Sequence, residues 1–168
     1  VDVDVPNRRY GDKLCNVVQA FHALSIDDNR AWIFTPLLLG RRHQFDGCAP
    51  GDQPPMLDAH GHLLPGRLQE VWFAGAHSDV GGGYQESGLS GVSLNWMIRN
   101  LAPTGLLPPQ AAVREDVFGS SHDPEHGTLL YHAINRDVLR YALDDQARPE
   151  LAGALCVHPS VFQRRQRL

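Results

Sequence analysis

The chain has 168 residues, a formal net charge of −4 and 42 % hydrophobic residues. This composition suits a single domain or part of a larger one and excludes a disordered chain. The slight acidity argues against a nucleic-acid partner, which a basic patch would indicate. No apolar run approaches the roughly 20 residues of a membrane-spanning helix. Three scattered cysteines indicate free thiols in a reducing compartment rather than a disulfide framework or a zinc site, and we expect no metal and no cofactor.

The first residue is Val1 rather than Met, and no signal peptide follows it. We therefore expect a piece of a longer polypeptide that is made in the cytoplasm.

The predicted elements alternate between helices and strands, as they do in α/β folds. Apolar residues at helical spacing predict an amphipathic helix over residues 13–29. Residues 40–67 are rich in glycine and proline and predict a long loop. Toward the end of the chain, a polar loop over 119–127 precedes a weak helical pattern near 137–143.

The strongest pattern lies in the middle of the chain. Residues 68–75 are apolar and aromatic and predict a strand. A helix is predicted from Leu89 to Leu101, with Ser90 as its N-cap and with Pro103 and Gly105 ending it.

A histidine, an acidic residue and a glycine run lie between this strand and this helix. Ligands of open α/β sheets bind at the carboxyl ends of the strands, and a neutral imidazole at that position can act as a general base. His77 is therefore the candidate catalytic residue, expected on the joining loop. Asp79 is interpreted as support for that loop, through bonds to backbone amides of the glycine run. The three glycines of the run can adopt positive φ angles and let the backbone approach a ligand closely. They are Gly81, Gly82 and Gly83.

Two other interpretations of this segment stay open. In the first, His77 only caps the strand or bonds the loop, and the glycines only form a turn. In the second, His77 and Asp79 bind a metal ion together with His60 and His62. Zinc needs three or four ligands at fixed geometry, and the sequence has no HExxH motif to supply them.

The run VWFAGAHSDVGGGY at 71–84, followed by LSGVSLNWM at 89–97, resembles the Tle1-like phospholipase family of type VI secretion effectors. The segments HALSIDDNR at 22–30 and VHPSV at 157–161 are similar to two further segments of that family, in the same order. The resemblance implies an α/β-hydrolase fold and lipid ester hydrolysis, with His77 as the histidine of a Ser-His-Asp triad.

The family carries its nucleophilic serine in a GFSRGA-type elbow and its triad aspartate in a later strand, both upstream of this histidine. Neither motif occurs here, and no GxSxG is present. Ser78 and Asp79 cannot complete a relay with His77, because adjacent side chains do not converge. We therefore expect residues 1–168 to be the C-terminal part of one α/β-hydrolase catalytic domain, a partial fold of late sheet strands, flanking helices and long loops. The part that bears the nucleophile is expected upstream, so the chain alone is expected to be inactive.

The resulting hypothesis is part of a serine-dependent phospholipase, an antibacterial toxin that a type VI system delivers into a target cell. The implied partners are a phospholipid or other lipid ester substrate, a cognate immunity protein and a secretion spike protein. One alternative is a non-catalytic module that an immunity or spike protein recognises. The second alternative is a metal-dependent hydrolase that uses His77 and Asp79.

Other polar residues have simpler interpretations. His22 is expected to pack on the apolar face of the first helix. Asp27 and Asp28 with Arg30 predict a buried ion pair at the end of that helix, with a cation site as the alternative.

His122 and His126 are four residues apart, but Pro124 between them disfavours a helix that binds zinc through both. Three arginines near the end of the chain predict a solvated face, with contact to anionic lipid as the alternative: Arg164, Arg165 and Arg167.

Overall fold

The structure is a computed structural model, which describes residues 17–30, 68–108, 110–124 and 155–167. The predicted loop at 40–67, the weak helical pattern near 137–143 and both His60 and His62 lie outside these residues.

Three parallel strands form the sheet of the described part, in the spatial order β1-β2-β3. They are β1 (Ala20–Ser25), β2 (Leu68–Phe73) and β3 (Cys156–Val157). β1 pairs with β2 along its whole length, and β3 pairs with Val71 and Trp72 of β2. Parallel strands with flanking helices make this a partial α/β fold, as the sequence predicts.

The prediction of a helix over 13–29 is wrong within the described residues, because residues 20–25 form β1. Successive side chains of β1 point to opposite faces of the sheet. Leu24 packs with Trp72 on one face, whereas Phe21 and Ala23 pack against the core on the other. A strand that is covered on both faces carries apolar residues without strict alternation, so its pattern can imitate a helix. The pairing of all six residues with β2 makes this segment a strand rather than a helix.

β2 lies at the predicted position and ends two residues earlier than predicted, at Phe73. Val71 and Phe73 face one core cluster, and Trp72, only 1 % exposed, faces the other. Full burial on both faces is typical of an inner parallel strand.

Two helices follow β2, namely the short α1 (His77–Gly81) and the longer α2 (Gly88–Leu101). α2 packs Val92 and Trp96 against Val71 and Phe73 of the sheet, which are residues at helical spacing on one face. Its N-cap is Ser87 rather than Ser90, whose hydroxyl instead donates to the Ser87 carbonyl at 3.1 Å.

The end of α2 agrees with the prediction. A 3₁₀ turn (Ala102–Thr104) follows Leu101, and Gly105 then adopts a left-handed conformation with φ of 72°. Pro103 lies in that turn, and the Gly105 amide donates to the Ala102 carbonyl at 3.2 Å. Proline and glycine after a helix end it in this way.

The last helix, α3 (Pro159–Arg165), begins directly after β3. His158 is its N-cap and accepts from the Ser160 amide, and Pro159 occupies the first helical position that proline favours. None of the helices in the described part of the chain has the length and apolar composition needed to cross a bilayer.

Candidate active site

The carboxyl ends of the three strands meet at one edge of the sheet. β1 runs into Asp27 and Asp28, β2 runs into the turn before His77, and β3 runs into His158. Backbone hydrogen bonds continue the sheet slightly past the strands, from the Ile26 amide to the Phe73 carbonyl at 3.0 Å. The candidate residues of three sequence segments are therefore brought to the edge at which α/β proteins bind ligands.

His77 is exposed and is the first residue of α1, so the expectation that it lies on a loop is wrong. Asp79, the third residue of the helix, stabilises its start by accepting a hydrogen bond from the amide of Ala76, the N-cap residue, at 3.0 Å. An acidic residue three positions after the N-cap is the known way to satisfy this amide. The position of His77 just past the end of β2 agrees with the prediction.

The pKa of His77 lies below its ordinary value of 6.5, chiefly because its surroundings partly desolvate the ring. The carboxylate of Asp28 opposes this effect, and the guanidinium of Arg30 adds to it. A lowered pKa keeps the imidazole neutral at neutral pH, which is the form that can accept a proton.

Asp28 and Arg30 form a buried ion pair, at the end of a strand rather than at the end of a helix. Arg30 donates from Nε to Asp28 Oδ1 at 3.0 Å and from Nη2 to Oδ2 at 2.5 Å. Burial by itself would raise the pKa of Asp28, but bonds from the Arg30 side chain and from the backbone of His77 and Arg30 outweigh it and lower the pKa below 3.8. The carboxylate therefore stays charged although only 3 % of the residue is exposed.

Asp79 is also buried, at 2 % exposure, and its carboxylate has a partner that the sequence did not predict. Besides the Ala76 amide it accepts from the His122 amide at 2.9 Å, and its Oδ1 lies 2.6 Å from His122 Nδ1. The His122 ring stacks on Tyr84 with 3.8 Å between the ring centroids. Asp79 thus joins α1 to the segment around residue 122. Its carboxylate bonds these groups rather than amides of the glycine run, so that part of the expectation is wrong.

The three glycines of the run differ from one another. Gly82 and Gly83 have φ angles of 87° and 125°, in the region that favours glycine. Gly81 is the last residue of α1, and a Cβ added to it would meet nothing within 4 Å. The need for glycine is therefore concentrated at Gly82 and Gly83, and at Gly75 before the helix, whose φ is 103°.

A cavity of about 430 Å³ opens beside His77. It lies between β1 and the two helices, and most of its exposed lining is apolar. Its apolar side chains are Phe21, Ala23, Val80, Leu94 and Met97, and its polar groups include His77, Ser25, Ser90 and Ser93.

The remaining candidate residues lie apart from this cavity or have other partners. His22, expected on a helix, lies on β1 with Nδ1 at 3.2 Å from Glu70 Oε1, and it borders the cavity. Arg164 is held at 2.6 Å and 2.8 Å by the carbonyls of Val117 and Gly119, and Arg167 lies over the Phe118 ring. These two arginines therefore have protein partners, which the prediction of a solvated face did not include.

In the part of the chain that the structure describes, no group of three or more histidine, cysteine, aspartate or glutamate side chains is placed to hold a metal ion. The carboxylate of Asp79 is paired with His122. This pairing was missed because the two residues are 43 positions apart, and no motif in the sequence connects them.

The chain is an α/β protein, because it has a parallel sheet with flanking helices. Its candidate active site, formed by a histidine and a cavity, lies at the carboxyl edge of the sheet, where α/β proteins usually bind ligands. The family model described as the catalytic domain of Tle1-like phospholipase effectors of the type VI secretion system matches residues 7–100. This match covers more than half of the chain, and the chain belongs to that family, which confirms the resemblance seen in its sequence. Comparisons with curated proteins and with solved structures gave no match.

Proposed function

We propose that this chain supplies the histidine base of a serine-dependent phospholipase. The observation that carries the proposal is the position of His77, exposed beside an apolar cavity at the carboxyl end of β2. Membership of the phospholipase effector family supports the reaction class. We further propose that residues 1–168 are the C-terminal part of one α/β-hydrolase catalytic domain, in which the serine and the triad aspartate belong to another part of the polypeptide.

In this mechanism the neutral ring of His77 accepts the proton of the serine hydroxyl while the serine oxygen attacks the ester carbonyl carbon. The protonated ring then gives that proton to the departing alcohol oxygen, which leaves an acyl-serine and a lysophospholipid. In the second half, His77 takes a proton from water as the water oxygen attacks the acyl carbon. The serine recovers its proton, and a free fatty acid leaves. A lowered pKa of His77 keeps the ring neutral at neutral pH, which is the form that accepts the serine proton.

The cavity suits an acyl chain as its occupant. Its volume of about 430 Å³ falls within the range of roughly 300–1,000 Å³ that is usual for small-molecule sites. Apolar side chains form most of its lining, and His77 borders it. An acyl chain bound there would remove apolar surface from water, which favours binding.

The biological setting follows from the family. We propose that a type VI apparatus delivers the protein into a target cell as an antibacterial toxin. The proposed partners are a spike protein that carries it and an immunity protein that protects the producing cell.

The test uses the longer polypeptide that contains this chain, with vesicles of bacterial phospholipids as substrate. The release of fatty acid and lysophospholipid is measured for the wild type, His77→Ala and Arg165→Ala. Arg165→Ala is the control, because it removes an exposed side chain of α3 that does not line the cavity. We expect His77→Ala to lower turnover by about four orders of magnitude or more, since a serine hydroxyl without its base is a weak nucleophile. The control should keep its activity.

Labelling with a fluorophosphonate probe locates the nucleophile. We expect labelling of the longer polypeptide and none of the 168-residue chain. Stoichiometric labelling of a serine within this chain, or near wild-type turnover of His77→Ala, would overturn the proposal. Activity that is lost with a chelator and restored by a divalent metal would favour the metal-dependent alternative instead.

A further inference from the structure

Three consecutive backbone amides lead into the candidate base, and each donates to a different carboxylate. The Gly75 amide donates to Asp27 at 2.6 Å, and the Ala76 amide donates to Asp79 at 3.0 Å. The amide of His77 itself donates to Asp28 at 3.0 Å. We name Asp27, Asp28 and Asp79 the carboxylate clamp.

The clamp holds the turn from both sides. Asp27 and Asp28 come from the end of β1, the strand beside β2, whereas Asp79 belongs to α1 itself. The Gly75 carbonyl is held as well, by the Ser25 hydroxyl at 2.6 Å. Contacts from two elements to these successive peptide units leave the turn few alternative conformations.

A simple turn does not need this arrangement. Two of the three carboxylates, those of Asp28 and Asp79, are nearly fully buried, and a buried charge is costly unless it is paired and hydrogen-bonded. Each of them meets that condition, Asp28 through Arg30 and Asp79 through backbone amides and His122. The group at the end of the clamped turn that faces the cavity is the side chain of His77.

We propose that Asp28 and Arg30, supported by Asp27, are positioning residues for His77. They fix the backbone from which its imidazole projects, and they place two opposite charges beside it. This inference rests on the proposed function of His77, but it concerns residues for which the family match assigns no role.

The two charges make the proposal testable, because they act on the ring in opposite directions. The Asp28 carboxylate raises the pKa of His77, and the Arg30 guanidinium lowers it. Asp28→Asn removes a negative charge at nearly constant shape and should lower the pKa of His77. Arg30→Gln removes the positive charge and should raise it.

The measurement is an NMR titration of the His77 ring in the longer polypeptide that contains this chain. We expect shifts of about half a pH unit or more, of opposite sign in the two variants, as charges near a titrating group produce. Asp116→Asn is the matched control. Its carboxylate also accepts a backbone amide, that of Phe118 at 2.9 Å, but it takes no part in the clamp. The control should leave the pKa of His77 unchanged.

Asp27→Asn tests the clamp by a measurement that does not depend on the pKa of His77. Asparagine still accepts one hydrogen bond but more weakly than a carboxylate, so amide exchange at Gly75 should become faster than in the Asp116→Asn control. This variant keeps the inference testable if Asp28→Asn does not fold.

In the longer polypeptide, Asp28→Asn should lower kcat by about 100-fold with KM little changed, since a small misplacement of a catalytic group costs about this much. Shifts of equal sign in Asp28→Asn and Arg30→Gln, or shifts no larger than in the control, would overturn the positioning role. That result would leave the proposed function intact, because His77→Ala tests it separately.

Discussion

Gly75→Ala is expected to be one of the most destabilising small substitutions in the described part of the chain. Gly75 has a φ of 103°, and a Cβ at this position would lie 2.4 Å from the Cβ of Asp79. Asp79 cannot move away freely, because its carboxylate holds the Ala76 amide and His122.

The cost has two parts. A residue other than glycine in this backbone region costs about 1–3 kcal/mol, and forcing an extra carbon into a packed site costs a further 1–3 kcal/mol or so. We therefore expect Gly75→Ala to lower the free energy of unfolding by roughly 2–6 kcal/mol, a large share of the roughly 5–15 kcal/mol of a typical domain.

Two further glycine-to-alanine substitutions separate the cost of backbone strain from the cost of steric crowding. Gly82→Ala meets nothing within 4 Å but has a φ of 87°, so it should cost the backbone strain alone, about 1–3 kcal/mol. Gly81→Ala has neither problem and lies in a helix, so it should be neutral or stabilising by up to about 1 kcal/mol.

The assay is urea unfolding followed by tryptophan fluorescence, with Trp72 and Trp96 both buried in the folded chain. We expect Gly81→Ala to be the most stable of the three variants, Gly82→Ala to be intermediate and Gly75→Ala to be the least stable. If Gly75→Ala were as stable as Gly81→Ala, the geometry given for the turn before His77 would be refuted.

Three further outcomes are expected. Asn95→Ala should lower the free energy of unfolding by about 1–3 kcal/mol and speed amide exchange at Val113. The reason is that it removes the buried side chain that bonds both the amide and the carbonyl of Val113 at 2.9 Å. Unchanged exchange would contradict this. Arg164→Ala should lower Tm, whereas the exposed Arg165→Ala should not, since Arg164 donates to two backbone carbonyls; equal Tm values would refute the contrast. Burial lowers the pKa of His158 below 6.5, so the unfolded chain binds this proton first as pH falls, and stability is lost from about pH 6.5 downward. His158→Asn should reduce that loss, measured as the change in Tm between pH 7.5 and 5.5, and an unchanged loss would argue against the burial.

Local patterns in the sequence were sufficient where the apolar pattern fits only one kind of element. The apolar run at 68–73 and the helical spacing of α2 both correspond to elements in the structure. Pro103 has no amide hydrogen to continue the helical hydrogen bonds, and Gly105 readily adopts the left-handed conformation that follows a helix end, so both signals are local. The place of His77 after β2 follows from the same local order.

β1 shows where local pattern fails. Its apolar residues satisfy a helical period as well as they satisfy a strand that packs apolar side chains on both faces. The parallel pairing of β1 with β2 decides between them, and that pairing joins residues 48 positions apart.

The site divides in the same way. By itself, the sequence determined that a histidine follows a buried strand, and its motif determined the family. Only the tertiary structure decided that Asp28 would meet the His77 amide and that Asp79 would meet His122, since these contacts join residues 49 and 43 positions apart. The register of β1 against β2 brings the first pair together, and the packing of residues 110–124 against α1 and α2 brings the second. Hydrogen bonds act over about 3 Å in space, and spacing along the chain carries no record of which distant groups will come that close.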